Sequence, residues 1–167
     1  MTTKPGSFPE VTLCVPVYRN AGTLRELHRR VCQVLGSGPL SFEILFVNDA
    51  SPDDSLAALE DLSEADDRVA VLCLGRNVGQ HQAVLTGLRY SQGRVIVVMD
   101  ADLQDPPEAI PRLLEELRKG YDAVFAGRRG RYESTQRLLT SRLFKRLLHV
   151  LTGLPGDAGL FVAMTRS

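Results

Sequence analysis

Short runs of β-branched and other apolar residues alternate along this chain with longer segments whose apolar residues recur at helical spacing. That alternation dictates an α/β fold, a mostly parallel sheet with helices packed on its faces. The spacing predicts strands at Val11–Val17, Phe42–Val47, Val69–Leu74, Val95–Met99, Ala123–Ala126 and Leu160–Met164. Helices are expected over Ala21–Leu35, Pro52–Ala65, Gly79–Ser91, Pro106–Lys119 and Ser134–Leu151. With 167 residues and no repeat or linker, the chain suits one domain over residues 11–167, preceded by a flexible segment at residues 1–10.

Open sheets of this kind bind ligands beyond the carboxyl ends of their strands, so polar residues at those ends carry the functional information. The first strand ends in Pro16-Val17-Tyr18-Arg19-Asn20, the second in Asn48-Asp49-Ala50-Ser51-Pro52-Asp53, and the fourth in Asp100-Ala101-Asp102-Leu103-Gln104. Some of these acids have an architectural explanation. Ser51-Pro52-Asp53-Asp54 reads as a helix cap, a proline at the first helical position and acids facing the positive end of the helix dipole. Asp105-Pro106-Pro107-Glu108 follows the same grammar, with Asp105 as the cap. Asp100 and Asp102 have no such role. If the backbone stays extended past the strand, residues two apart point to one side, and the Asp100 and Asp102 carboxylates converge with the Gln104 carbonyl oxygen. Two carboxylates so close repel unless a cation lies between them or one is protonated. Hard oxygen ligands suit Mg²⁺ or Mn²⁺, ions that usually share their coordination with substrate phosphates.

Charge and cysteine usage narrow the function classes. The formal net charge is zero, which argues against a nucleic-acid binder working by bulk electrostatics. Locally the balance fails: every charged residue from Asp49 to Asp67 is acidic, and from Arg128 to Arg146 all but Glu133 are basic. Cys14, Cys32 and Cys73 fall in apolar segments without metal-ligand spacing and read as reduced core thiols of a cytosolic domain. No segment approaches the roughly 20 apolar residues of a membrane span, and the opening residues lack the apolar stretch of a signal peptide. The expected location is cytoplasmic, at most against the inner face of the cell membrane. The stretch Arg137–Leu151, with leucines and Phe144 on one face and cations on the other, is compatible with peripheral membrane contact or with packing on the core.

The ordered set Val15-Pro16-Val17-Tyr18, Val47-Asn48-Asp49-Ala50-Ser51, Arg76-Asn77-Val78-Gly79-Gln80, Asp100-Ala101-Asp102-Leu103-Gln104-Asp105-Pro106-Pro107-Glu108 and Gly127-Arg128 resembles family 2 glycosyltransferases, and within them the enzymes that use polyprenyl phosphates. The resemblance runs from about Val11 to Arg166. It implies a GT-A fold, a nucleotide-diphosphate sugar as donor, a divalent cation, and a polyprenyl (dolichyl or undecaprenyl) phosphate as acceptor in cell-envelope glycan synthesis. By position it assigns Pro16, Tyr18, Asn20, Asp49, Gly79 and Asp100 to the nucleotide and Asp100, Asp102 and Gln104 to the metal. Arg128, Arg137 and Ser141 match the family's grip on the acceptor phosphate. Asp157, in Gly156-Asp157-Ala158-Gly159-Leu160-Phe161, matches a late segment beside the acceptor site and is the candidate base for a hydroxyl acceptor. The implied chemistry is a single in-line displacement with inversion at the anomeric carbon.

Departures from the family pattern are specific. Arg19-Asn20 stands where Asn-Glu is usual, which removes an acidic contact to the nucleotide, and Asn20 can serve as a helix cap instead. Gln80 replaces a common lysine and weakens any phosphate contact from that loop. The chain stops soon after Phe161, where relatives continue, so a nucleotide-sugar-binding module dependent on a membrane partner protein is the alternative. A sugar nucleotidyltransferase would carry a glycine-rich basic loop after the first strand, which Pro16–Asn20 does not offer.

Overall fold

The computed structural model describes residues 8–127 and 158–166. Six strands, β1 (Val11–Val17), β2 (Phe42–Asn48), β3 (Val69–Cys73), β4 (Val95–Val98), β5 (Ala123–Gly127) and β6 (Ala158–Thr165), form one sheet in the order β3-β2-β1-β4-β6-β5. The strands from β3 to β4 run parallel, and β6 lies antiparallel between β4 and β5. Every residue of β1 is buried, as expected of a central strand covered on both faces.

The side chains of β1 and β2 sort themselves by the two-residue period of the pleat. Leu13, Val15, Val17, Ile44 and Phe46 face a layer made by α1 (Ala21–Gly36), α2 (Ser55–Ala65) and α4 (Ile110–Leu117), where Leu24, Leu27, Leu59, Ile110 and Leu113 meet them. Cys14, Leu45 and Val47 face the other way, against Ala83 and Val84 of α3 (Gln80–Tyr90). Gly87 lets α3 approach this closely, because a Cβ there would collide with Cys14 and Val47. The buried Cys14 thiol is pushed up to about 12 by desolvation. Cys73, by contrast, is exposed on the edge strand β3, so the expectation of three core thiols fails there, and Cys32 is only partly buried.

Two helix starts differ from expectation. Helix α2 begins at Ser55 rather than Pro52, and Ser51 is not its cap. The Ser51 hydroxyl instead accepts the Arg19 amide at 2.7 Å and donates to Asp53 Oδ1 at 2.5 Å. Asp53 Oδ2 accepts the Ala21 amide at 3.2 Å and Oδ1 accepts the Ser55 amide at 3.2 Å, so one carboxylate ties the first turns of α1 and α2 together. Desolvation opposes its charge, but the hydrogen bonds from Ser51, Ser55 and Ala21 hold Asp53 well below the usual carboxylate range. After β4, a single 3₁₀ turn at Pro107–Ala109 precedes α4, with Pro106 rather than Asp105 at the N-cap position of the turn; Asp105 is buried, and Glu108 forms an ion pair with Arg30 of α1. Ser51, Asp53 and Glu108 thus reach partners in the loop before α1 and in α1 itself, beyond the local capping roles expected of them.

Candidate nucleotide and metal site

The sheet changes winding direction between β1 and β4: the connection from β1 runs through α1 to β2 on one side, and that from β4 runs through α4 to β5 on the other. In β1–β2 pairing Val17 lies opposite Asn48, and in β1–β4 pairing Cys14 lies opposite Val98, so continuing the second register brings Asp100 level with Pro16. A cleft of about 420 Å³ opens at this level. It is lined by Pro16, Tyr18 and Asn20 after β1, Asp49 after β2, Asn77, Gly79 and Gln80 before and at α3, and Asp100 and Asp102 after β4. All six residues assigned to the nucleotide therefore share one cavity with Asp102. The charged side chains among these described lining residues are carboxylates only.

Asp100 and Asp102 share the cleft for a different reason from the one expected. The chain does not stay extended past β4; it turns at Ala101–Asp102, and Leu103 takes a positive φ of 63°. Asp102 Oδ1 accepts the Gln104 amide at 3.0 Å, closing an Asx turn. The turn sends Gln104 outward, to an exposed position outside the described lining of the cleft. A hydroxyl from α1 pins it: Thr23 Oγ1 donates to the Ala101 carbonyl at 2.6 Å.

The same kind of backbone strain recurs after the three strands that deliver acids or rim residues to the cleft. Arg19 after β1 (φ 60°), Ala50 after β2 (φ 48°) and Leu103 after β4 (φ 63°) are the positive-φ non-glycine residues of the described chain. Each such conformation costs on the order of 1–3 kcal/mol and persists where the surroundings over-determine it, as at ligand sites. Tyr18 is exposed at the rim, its ring covered on one side by the Arg19 guanidinium at 5.4 Å. Asn20 occupies the N-cap position of α1 without capping it; its Oδ1 accepts the Tyr18 amide at 3.1 Å and steadies the rim.

Asp49 is buried, and its carboxylate accepts the Val78 amide at 2.7 Å and the Gly79 amide at 2.9 Å. Hydrogen bonds of this charged kind contribute about 1.5–3 kcal/mol each. Asn77 adds a bond from Nδ2 to the Asp49 carbonyl at 3.2 Å, and Gln80 Nε2 donates to Asp100 Oδ1 at 2.5 Å. Asn77 and Gln80 are the polar residues of the described wall to which sequence reasoning gave no site role. The advance signal was their place in the Arg76-Asn77-Val78-Gly79-Gln80 motif, where Gln80 stands in place of a common lysine.

Arg128, Arg137, Ser141 and Asp157, and the expected helix Ser134–Leu151, lie outside the described residues. Among the described residues no helix is long and apolar enough to cross a membrane. A second group able to ligate a metal, His28, Cys32 and Asp66, has its ligand atoms within 4.8 Å of one another at the far side of α1. Arg68 already grips that carboxylate with bonds of 2.9 Å from Nε and 2.8 Å from Nη2.

Comparison with known proteins identifies the family and the fold. Residues 12–162 match the family described as Glycosyl transferase family 2. An undecaprenyl-phosphate 4-deoxy-4-formamido-L-arabinose transferase of Enterobacter sp. (strain 638) is 39% identical over 98% of this chain and 51% of its own length. The uncharacterized glycosyltransferase YkcC of Bacillus subtilis (strain 168) is 39% identical over 94% of this chain and 50% of its own. The chain thus spans about half the length of the curated relatives it matches. Among solved structures, mannosyl-3-phosphoglycerate synthase from Rubrobacter xylanophilus superposes with a TM-score of 0.73 at 19% identity, covering 94% of this chain and 54% of that one. A mannosyltransferase from Pyrobaculum calidifontis, in complex with GDP-Man and Mn²⁺, gives a TM-score of 0.64 at 22% identity, covering 99% and 47%. These likenesses identify the architecture as the GT-A fold.

Proposed function

The chain belongs to glycosyl transferase family 2, and on that premise we propose that its cleft holds a nucleotide-diphosphate sugar and a divalent cation, Mg²⁺ or Mn²⁺, for transfer of the sugar to a polyprenyl phosphate. The observation that carries this reading is the meeting of Asp100 and Asp102 with Pro16, Tyr18 and Asp49 in one cleft at the sheet's switch point. An anionic diphosphate entering among three carboxylates needs positive charge, and hard oxygen donors suit these ions. Asp100 and Asp102 would hold the cation, which supplies charge against the departing nucleotide diphosphate. Gln104, turned outward, reaches it only through rearrangement.

Tyr18 offers the nucleoside an exposed aromatic face, and Pro16, Asn20, Asp49 and Gly79 complete that wall. Arg128, with Arg137 and Ser141, would receive the acceptor phosphate, because guanidinium groups bind phosphate oxygens in a fork and offset repulsion between two anions. That phosphate is already anionic and attacks without a strong general base, so Asp157 is needed only with a hydroxyl acceptor. One in-line displacement inverts the anomeric centre. A lipid-linked acceptor places the reaction at the inner face of the membrane, through peripheral contact or a membrane partner protein.

Calorimetric titration with UDP, GDP and their sugar conjugates, with and without Mn²⁺, tests the donor site, and turnover with purified polyprenyl phosphate tests the transfer. Metal-dependent binding of one nucleotide, lost in Asp102→Asn, is expected. Binding without turnover would favour a nucleotide-sugar module that acts only with a partner, and no binding to the wild-type chain would sink the donor assignment.

A further inference from the structure

Asp49 is only 2% exposed, and a carboxylate so deeply placed needs compensating hydrogen bonds. It finds them in the backbone of the segment that leads into α3: the Val78 and Gly79 amides donate to its two carboxylate oxygens. The Asn77 side chain donates to its carbonyl, and the Leu74 amide donates to the carbonyl of Asn48 next to it. Gly79 then turns the chain with a φ of 86° and starts α3, and the very next side chain, Gln80, reaches across the cleft to Asp100 Oδ1. An anion already satisfies these amides at the positive end of α3, where a phosphate would otherwise be attracted.

From this chain of contacts we propose that Asp49 is a positioning residue: it fixes the 76–80 segment so that Gln80 holds the Asp100 carboxylate in place for the cation and diphosphate. The inference rests on the donor-site reading above and assigns one part of it. Asp49 serves every nucleotide alike, since it acts through the loop and on Asp100. The base is then read by the rim, where Tyr18 is exposed, and the loop contributes a wall in place of a phosphate cradle.

The test compares the wild-type chain with Asp49→Asn, Gln80→Ala and the double variant, titrated with Mn²⁺-pyrophosphate, Mn²⁺-UDP and Mn²⁺-GDP. Hydrogen exchange at the Val78 and Gly79 amides is followed in parallel without ligand. Asp49→Asn and Gln80→Ala should each weaken Mn²⁺-pyrophosphate by a similar factor, about tenfold, with no further loss in the double variant. The two amides should be protected in the wild type and in Gln80→Ala and exchange faster in Asp49→Asn. Unchanged pyrophosphate binding in Asp49→Asn, with only a nucleotide weakened, would show direct contact to the base and overturn the proposal. Additive losses, or amides unprotected in the wild type, would also overturn it. Should Asp49→Asn fail to fold, exposed Gln80 supplies the variant and wild-type exchange supplies the loop test. A wild-type chain that binds neither nucleotide fails the donor reading itself, a result the ligand-free exchange distinguishes from a fault in Asp49's role.

Discussion

Two carboxylate-centred clusters sit at different places in this fold, and they are built on opposite principles. At the far side of α1, Asp66 closes on itself. His28 Nε2 lies 2.9 Å from its Oδ2, the Cys32 thiol 3.6 Å, and Arg68 completes the set with two bonds to the carboxylate. Arg68 also lies over the Phe42 ring at 4.7 Å. At the carboxyl ends of β1, β2 and β4, three acids open onto a common cleft, and the backbone around them is strained. Charge neutralised by neighbours serves stability; charge gathered toward a cavity, on strained turns, is what a ligand-binding site requires.

The sharpest way to break this contrast is to remove one acid from each side. Asp102→Asn is expected to weaken nucleotide–Mn²⁺ binding by about 2–5 kcal/mol, roughly thirty-fold or more, with little change in melting temperature, as read by calorimetry. Asp66→Asn should do the reverse, leaving nucleotide binding intact and lowering stability by about 1–3 kcal/mol in denaturant titration, a range discounted because Arg68 is partly exposed.

Acid titration sharpens the same comparison. The Arg68 guanidinium holds Asp66 well below the usual carboxylate range, against the opposing effect of desolvation. A depressed folded-state pKa means that the unfolded chain takes up the proton first, so this stabilisation is complete above the unfolded carboxylate value of about 4 and is lost as pH falls below it. The Asp66→Asn chain should therefore lose less stability than the wild type between about pH 5 and pH 2, measured by melting temperature. Equal acid sensitivity would remove Asp66 from the stabilising network.

A smaller effect concerns the strained turns. Ala50→Gly relieves a positive φ and should raise stability by up to about 1 kcal/mol, the left-handed penalty less glycine's entropy. A loss instead would mean the methyl group is needed where it stands. Smallest of all, with no expected effect on stability, a thiol reagent should label Cys73 well before Cys32 and Cys14. Desolvation first of all pushes the Cys32 thiol up to about 11, and Cys14 is both buried and raised further.

How much of this was legible in the sequence follows from the range of the forces involved. Strand β1 was read to the residue because all of it but Thr12 is apolar and its whole length is buried on both faces. The grouping of Pro16, Tyr18, Asp49, Asp100 and Asp102 was legible because parallel strands deliver their carboxyl ends to one side. The starts of α2 and α4 were misjudged because Ser51, Asp53 and Glu108 spend their polar atoms on partners distant in sequence, Arg19, Ala21 and Arg30. Asp49's hold on Val78 and Gly79 spans about 30 residues and has no local pattern. The turn at Leu103 was invisible for a related reason: a residue that normally avoids positive φ stands where a glycine would have announced it.

The position of β6 has a consequence for how the protein is made. It pairs with both β4 and β5, so β5 joins the sheet only through a strand synthesised later. During translation at about 5–20 residues per second, β4 leaves the ribosome seconds before its neighbour and presents an unpaired edge in the interval. The part of the sheet that carries β3, β2, β1 and β4 is built from contacts already available, while the outer edge of β4, the strand that leads to Asp100, waits for β6. A nascent chain stalled before Ala158 would expose that edge to other chains, which makes elongation through the later segment the step at which this fold is most open to misassociation.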